Sequence, residues 1–120
     1  MSHFDRVLDR FREICLALPE ACEKTAWDHP TFRAGKKMFA AIGQDYDGQL
    51  SIGFRVGLER QGELLEDDRF YPTPYAAHQG WVSLRIGKKI DWDEVKDFAV
   101  ESYRFVAMKR MLKKLADMPP

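Results

Sequence analysis

The side chains with most chemical reach in this sequence are cations set close to aromatic rings. Arg55 and Arg85 occupy strand-like stretches. Trp81 begins the second of these, and Arg33 lies in a third. Arg33 and Lys37 are expected to lie near the outward Arg55 and Arg85, and Lys36 and Lys88 stand in turns at the edges. A guanidinium can fork onto a phosphate and an indole can stack on a base, so this set points to nucleic acid. The ordinary alternative is a solubilising surface on an open sheet, with Trp81 capping the core under the proline loop. A second cationic group, Lys109, Arg110, Lys113 and Lys114, falls on a short C-terminal helix. It reads either as a phosphate grip or as a solvated helix end favoured by the dipole.

Rings and imidazoles offer a second chemistry. Trp27, His29, Tyr75, His78 and Trp81 sit in two proline-containing loops and could line a small-molecule pocket. His29 and His78 could act as base or ligand. Neither has a His-x-x-His, Cys-x-x-Cys or adjacent Glu partner, so no metal or other cofactor is expected and a hydrogen-bonded loop histidine is the simpler reading. The acidic stripe Asp5, Asp9, Glu13 is diluted by Arg6, Arg10 and Arg12 and reads as a solvated face. No G-x-S-x-G, phosphate-cradling glycine loop or paired Cys and His is present. The chain is expected to bind rather than catalyse, with no catalytic residue to name.

The elements that must position these groups follow from periodicity. Phe4, Val7, Leu8, Phe11, Ile14, Cys15 and Leu18 make one helical stripe, capped by Ser2 with Asp5 and stopped at Pro19. An extended piece at 23–27 precedes a turn at Asp28 to Pro30. Two hairpins follow, one across Gly35-Lys36 and one across Asp47-Gly48. In the return strand 50–55, Leu50, Ile52 and Phe54 face inward and Ser51, Gly53 and Arg55 outward. A short helix over 57–66 uses Leu58, Leu64 and Leu65. Residues 69–80 read as a rigid aromatic loop, because Pro72 and Pro74 forbid helix. In strand 81–86, Val82, Leu84 and Ile86 oppose Trp81, Ser83 and Arg85. The last long helix starts at Asp91, breaks near Ala107, and a separate helix spans 109–116.

The order predicts an α+β domain over 1–118 with a frayed tail at 119–120. Helices from both chain ends cover one face of an antiparallel sheet, and the other face stays at least partly open. Size and composition agree: 120 residues, 45% apolar, 19 basic against 19 acidic. Zero net charge removes any global attraction to nucleic acid or membrane, so a binding face must be local. Cys15 and Cys22 are not expected to pair, and MSHFDRV shows no signal-peptide pattern. No apolar run is long enough to span a bilayer. A cytoplasmic protein, monomer or homodimer, is expected; self-association through the open face is a third functional reading.

Three ordered blocks carry a resemblance. WDHPTFRAGKKMFA at 27–40, RFYPTPYAAHQGWVSLRI at 69–86 and DWDEVKDFAVESYRFVAMKR at 91–110 resemble the signatures of the MmcQ/YjbR family of small bacterial proteins. The resemblance covers nearly the whole chain. It implies a frataxin-like (CyaY-like) arrangement and DNA binding, and it carries over no catalytic residue. Met108 stands where many relatives have proline, so a softer break before Lys109 is expected.

Overall fold

The computed structural model describes residues 2–26, 28–45 and 47–119; the expected pocket residue Trp27 and the tail residue Pro120 lie outside them. Helix α1, His3–Leu16, opens with the expected reciprocal cap: the Asp5 amide donates to the Ser2 hydroxyl and the Ser2 amide to the Asp5 carboxylate. It buries Val7, Phe11 and Cys15. Burial pushes the Cys15 thiol well up, and Cys15 and Cys22 are both free.

Strands β1 (Ala21–Ala26), β2 (His29–Ala34), β3 (Lys37–Gln44) and β4 (Leu50–Arg55) follow as an antiparallel meander. Helix α2, Leu58–Leu64, then carries the chain to the far edge strand β5, Phe70–Pro72. A 3₁₀ turn at Ala77–Gln79 leads into β6, Trp81–Ile86, which inserts between β4 and β5. The sheet order is β1-β2-β3-β4-β6-β5. Helix α3, Trp92–Val106, starts at Asp91, whose side chain accepts the Asp93 and Glu94 amides. Ala107 and Met108 are extended, so the break before α4 (Lys109–Ala116) is clean without the proline.

Alternation sorts the strands into two faces. Phe32, Ala34, Ile42, Leu50, Ile52, Phe54, Val82, Leu84 and Ile86 are buried together in the core, where α1 and α3 pack. A register shift in the β2–β3 pairing puts Phe32 opposite Ala40 and Arg33 opposite Met38. The extra residue, Phe39, therefore sits on the core side with Ala40, as a bulge allows, and its ring meets Tyr103 edge-on at 5.5 Å.

Four expectations need correction. His29 and Pro30 already pair with Ala26 and Thr25, so they open β2 instead of forming a turn. Residues 70–72 are an edge strand within the expected loop; an edge tolerates Pro72 because its missing donor would face solvent. Leu58 is 62% exposed and Leu64 makes the buried contact of α2. Lys37 pairs with Ala34, a core position, so it does not share the helix-free face with Arg33.

Candidate functional site on the helix-free sheet face

The strand positions that point away from the helices form one surface. By register they are Cys22 and Lys24 on β1, His29, Thr31 and Arg33 on β2, and Met38, Ala41 and Gly43 on β3. Ser51, Gly53 and Arg55 on β4, Trp81, Ser83 and Arg85 on β6 and Tyr71 on β5 complete it. Lys24, Arg33, Arg55 and Arg85 are cations, and these described positions hold no carboxylate. Glu23, the acid of β1, faces the other way and takes a two-pronged ion pair from Arg12 of α1. A chain of zero net charge thus sets four of its 19 basic residues on the face the helices leave bare, with no acid among those strand positions.

That face is concave. A cleft of about 910 Å³ has a floor of small residues, Ala41, Gly43, Ser51, Gly53 and Ser83, between walls of His29 and Met38 on one side and Tyr71 and Trp81 on the other. The floor glycines make room for rings. A Cβ on Gly43 would lie 2.9 Å from His29 Nδ1, and one on Gly53 would touch the Trp81 ring at 3.6 Å. Residues 73–79 stand over one end and add Pro74, Tyr75, Ala76 and Gln79 to the lining. Among the described residues no Asp or Glu lines the cleft, and Arg55 is the Lys or Arg that does.

Local bonds hold this geometry. The Tyr71 hydroxyl donates to Ser51 Oγ at 2.8 Å, and Thr73 and Ser83 share a hydroxyl bond of 2.8 Å. Gln61 of α2 donates to the Ala77 and Trp81 carbonyls, bracing both ends of the 3₁₀ turn. The Val56 and Gly57 amides donate to the Gly80 carbonyl. A Cβ on Gly80, at φ +84°, would lie 2.6 Å from Gly57 Cα, so only glycine lets the two backbones touch there. Ser102 reaches in from α3: its hydroxyl lies 2.5 Å from the Phe39 carbonyl oxygen and accepts the Arg55 amide at 2.8 Å. It closes the end of the β3–β4 ladder just behind Arg55.

The expected nucleic-acid residues divide. Arg55 Nε donates to the Gln79 carbonyl at 3.2 Å and its guanidinium lies 5.9 Å from the Phe105 ring. Arg85 donates to the Asp68 carbonyl at 2.7 Å and lies 4.6 Å from the Tyr71 ring. Neither is neutralised by a described carboxylate. Arg33 Nε is buried without a partner. Trp81 is 6% exposed, so it is a wall and not a protruding platform. Lys36 and Lys88 are exposed in turns. On α4, Arg110 and Lys114 both bind Glu20 and hold its carboxyl down to about 2. Lys109 and Lys113 are exposed.

The expected pocket residues divide too. His29, Tyr75 and Trp81 line the cleft, whereas His78 borders a separate depression of about 550 Å³ with Gly57, Leu58, Glu59 and Phe105. The hairpins paired β2 with β3 and β3 with β4, but no clean alternation assigned a side to Thr31, Met38, Ala41 or Gly43, and the register shift at Phe32/Arg33 lies outside any local pattern. On α1, Asp9 and Glu13 pair with Arg12 and Arg10, and Asp5 serves the helix cap. Among the described residues no three His, Cys, Asp or Glu side chains form a metal-binding group. No described helix is long and apolar enough to cross a membrane.

Known proteins can be set against this architecture. The YjbR family model matches residues 16–105. The crystal structure of Deinococcus radiodurans protein DR2400, a DUF419 domain, is similar with a TM-score of 0.70 and 22% identity, over 93% of this chain and 88% of that one. A crystal structure of a Pseudomonas syringae protein is similar with a TM-score of 0.64 and 17% identity, over 88% of this chain and 98% of that one. At these identities the likeness is one of fold. No curated protein matches. The family match takes in the whole sheet, the cleft and nearly all of α3, and on it the chain belongs to the YjbR family.

Proposed function

We propose that this protein is a non-enzymatic module that binds nucleic acid, DNA in the first instance, through the helix-free face of its sheet. One observation carries the reading: the outward strand positions bring together Lys24, Arg33, Arg55 and Arg85 with no carboxylate among them, around an aromatic-walled cleft. Phosphate contacts dominate affinity for nucleic acid, and aromatic walls accept unpaired bases. The concavity favours a single strand. A duplex read in its major groove needs a protruding helix or ribbon, and a cleft receives what projects into it. The basic helix α4 is the lesser half of the surface, since Arg110 and Lys114 are spent on Glu20 and only Lys109 and Lys113 remain to meet phosphate. We read the compartment as cytoplasmic, which the two free thiols support.

The test is a titration of labelled single-stranded and duplex DNA at two salt concentrations. Single strands are expected to bind more tightly, with log affinity falling linearly in log salt. Arg55→Ala and Arg85→Ala are each expected to reduce that slope by about 1. Absence of binding at low salt, or unchanged slopes in both variants, ends the reading. A sedimenting dimer that hides Arg55 and Arg85 replaces it with self-association.

A further inference from the structure

We propose that the cleft takes one unpaired nucleobase and that Tyr75 closes over it. This rests on the nucleic-acid reading and adds which part of the strand enters and what holds it.

Residues 73–76 form a tight turn in which the Ala76 amide donates to the Thr73 carbonyl at 3.2 Å. Pro74 fills the second position and Tyr75 the third, at φ +64°. Proline cannot take positive φ, so the turn is type II, whose third position suits glycine or asparagine. A bulky residue held there is strained, and such strain gathers at functional sites. The Tyr75 ring gains nothing from its own chain, for the residue is 100% exposed. It borders the cleft all the same. The turn is anchored, with Thr73 bonded to Ser83 on the cleft floor. A strained, anchored backbone that holds a ring in water beside an aromatic-walled cavity makes physical sense once a second ring lies beneath it.

The cavity describes that second ring. The His29 imidazole lies against Gly43 and the Trp81 ring against Gly53, so the cavity offers flat ring surfaces beside small residues such as Ala41 and suits a flat group. With Arg55 at the cleft and no carboxylate lining it, the flat group should carry an anion. Base plus phosphate meets both demands, in a strand or as a free nucleotide. Lys24, Arg33 and Arg85 continue the cationic face past the cleft, which is more than one phosphate needs and favours the strand.

The experiment uses the full chain, Tyr75→Gly and Tyr75→Phe. The probes are a labelled single-stranded oligonucleotide, the same backbone with abasic sugars, and a nucleoside monophosphate. Glycine suits the turn, so Tyr75→Gly should not lower the thermal midpoint, yet it should weaken oligonucleotide binding about tenfold with the salt slope unchanged. Tyr75→Phe should bind like the wild type. Abasic substitution should cost the wild type the same factor and cost Tyr75→Gly nothing further, as a double-mutant cycle requires for one shared contact. Weaker binding of the monophosphate than of the oligonucleotide supports the strand, and equal binding overturns it in favour of a free nucleotide. If the wild type binds the oligonucleotide and Tyr75→Gly binds it equally well, base stacking by Tyr75 is overturned while nucleic-acid binding stands. If the wild type binds no probe at low salt, both fall together.

Discussion

The two faces of one sheet are built from the same strands and do different work. On β4, Leu50, Ile52 and Phe54 turn to the helices, and Ser51, Gly53 and Arg55 turn away. The covered face is a lattice of rings: Phe11 meets Phe32 edge-on at 5.3 Å and Phe54 at 6.1 Å, and Phe98 touches both Phe54 and Phe70. The bare face has small residues, hydroxyl pairs and unneutralised cations. Stability is concentrated where water is excluded, which leaves the other face free to keep a cavity and like charges that a core could not tolerate.

The largest effect that would break this division is a core truncation. Phe11→Ala should lower unfolding free energy by about 3–5 kcal/mol in urea titrations, whereas Ser83→Ala on the bare face should lose no more than about 1 kcal/mol with the Thr73 bond. Equal losses would mean that the bare face carries the fold as well. Ser102→Ala lies between the two. It removes the hydroxyl that the Arg55 amide uses and that sits against the Phe39 carbonyl, so it should cost about 1–3 kcal/mol and also disturb the placement of Arg55. A loss of stability without any change in DNA affinity would uncouple the two faces.

Smaller still is the effect of charge. Arg55→Ala and Arg85→Ala should change stability by less than about 0.5 kcal/mol while reducing the salt slope of binding. Lys109→Ala, on α4, should reduce it less. An equal or larger effect at Lys109 would move the site from the sheet to the last helix.

The smallest expected effect is a pH dependence. Arg110 and Lys114 hold the Glu20 carboxyl down to about 2, from a usual value of 4.5. A depressed carboxyl contributes stability above its unfolded value and loses it as pH falls through the folded one. Wild type and Glu20→Gln should therefore differ in thermal midpoint above about pH 5 and converge toward pH 2, and added salt should shrink the gap. Persistence of the gap at pH 2 would mean that Glu20 acts by packing and not by charge.

Local pattern accounts for much of what was legible. The stripe of α1, its Ser2 cap, the alternation of 50–55 and 81–86 and the break near Ala107 each depend on neighbours within a few residues, so periodicity and capping chemistry reveal them. The edge strand at 70–72 was hidden because two prolines mask an extended segment whose pairing lies on β6. Trp81 reads from sequence either as a stacking ring on the open face or as a cap beneath the proline loop; the loop at 73–79 and the Gly53 surface bury it as a wall.

From the residues in order came most of the element types, the two hairpins, and the covered and uncovered sides of 50–55 and 81–86 with Arg55 and Arg85 on the uncovered side. The tertiary structure alone decided that β6 slips between β4 and β5, and which residues of β1, β2 and β3 continue the bare surface. It also decided that Tyr75 stands over the cavity so formed. The physical reason is range. A side chain's direction is set by its own backbone, but a cavity exists only where strands distant in sequence are brought into register, and no local periodicity encodes which strands those are.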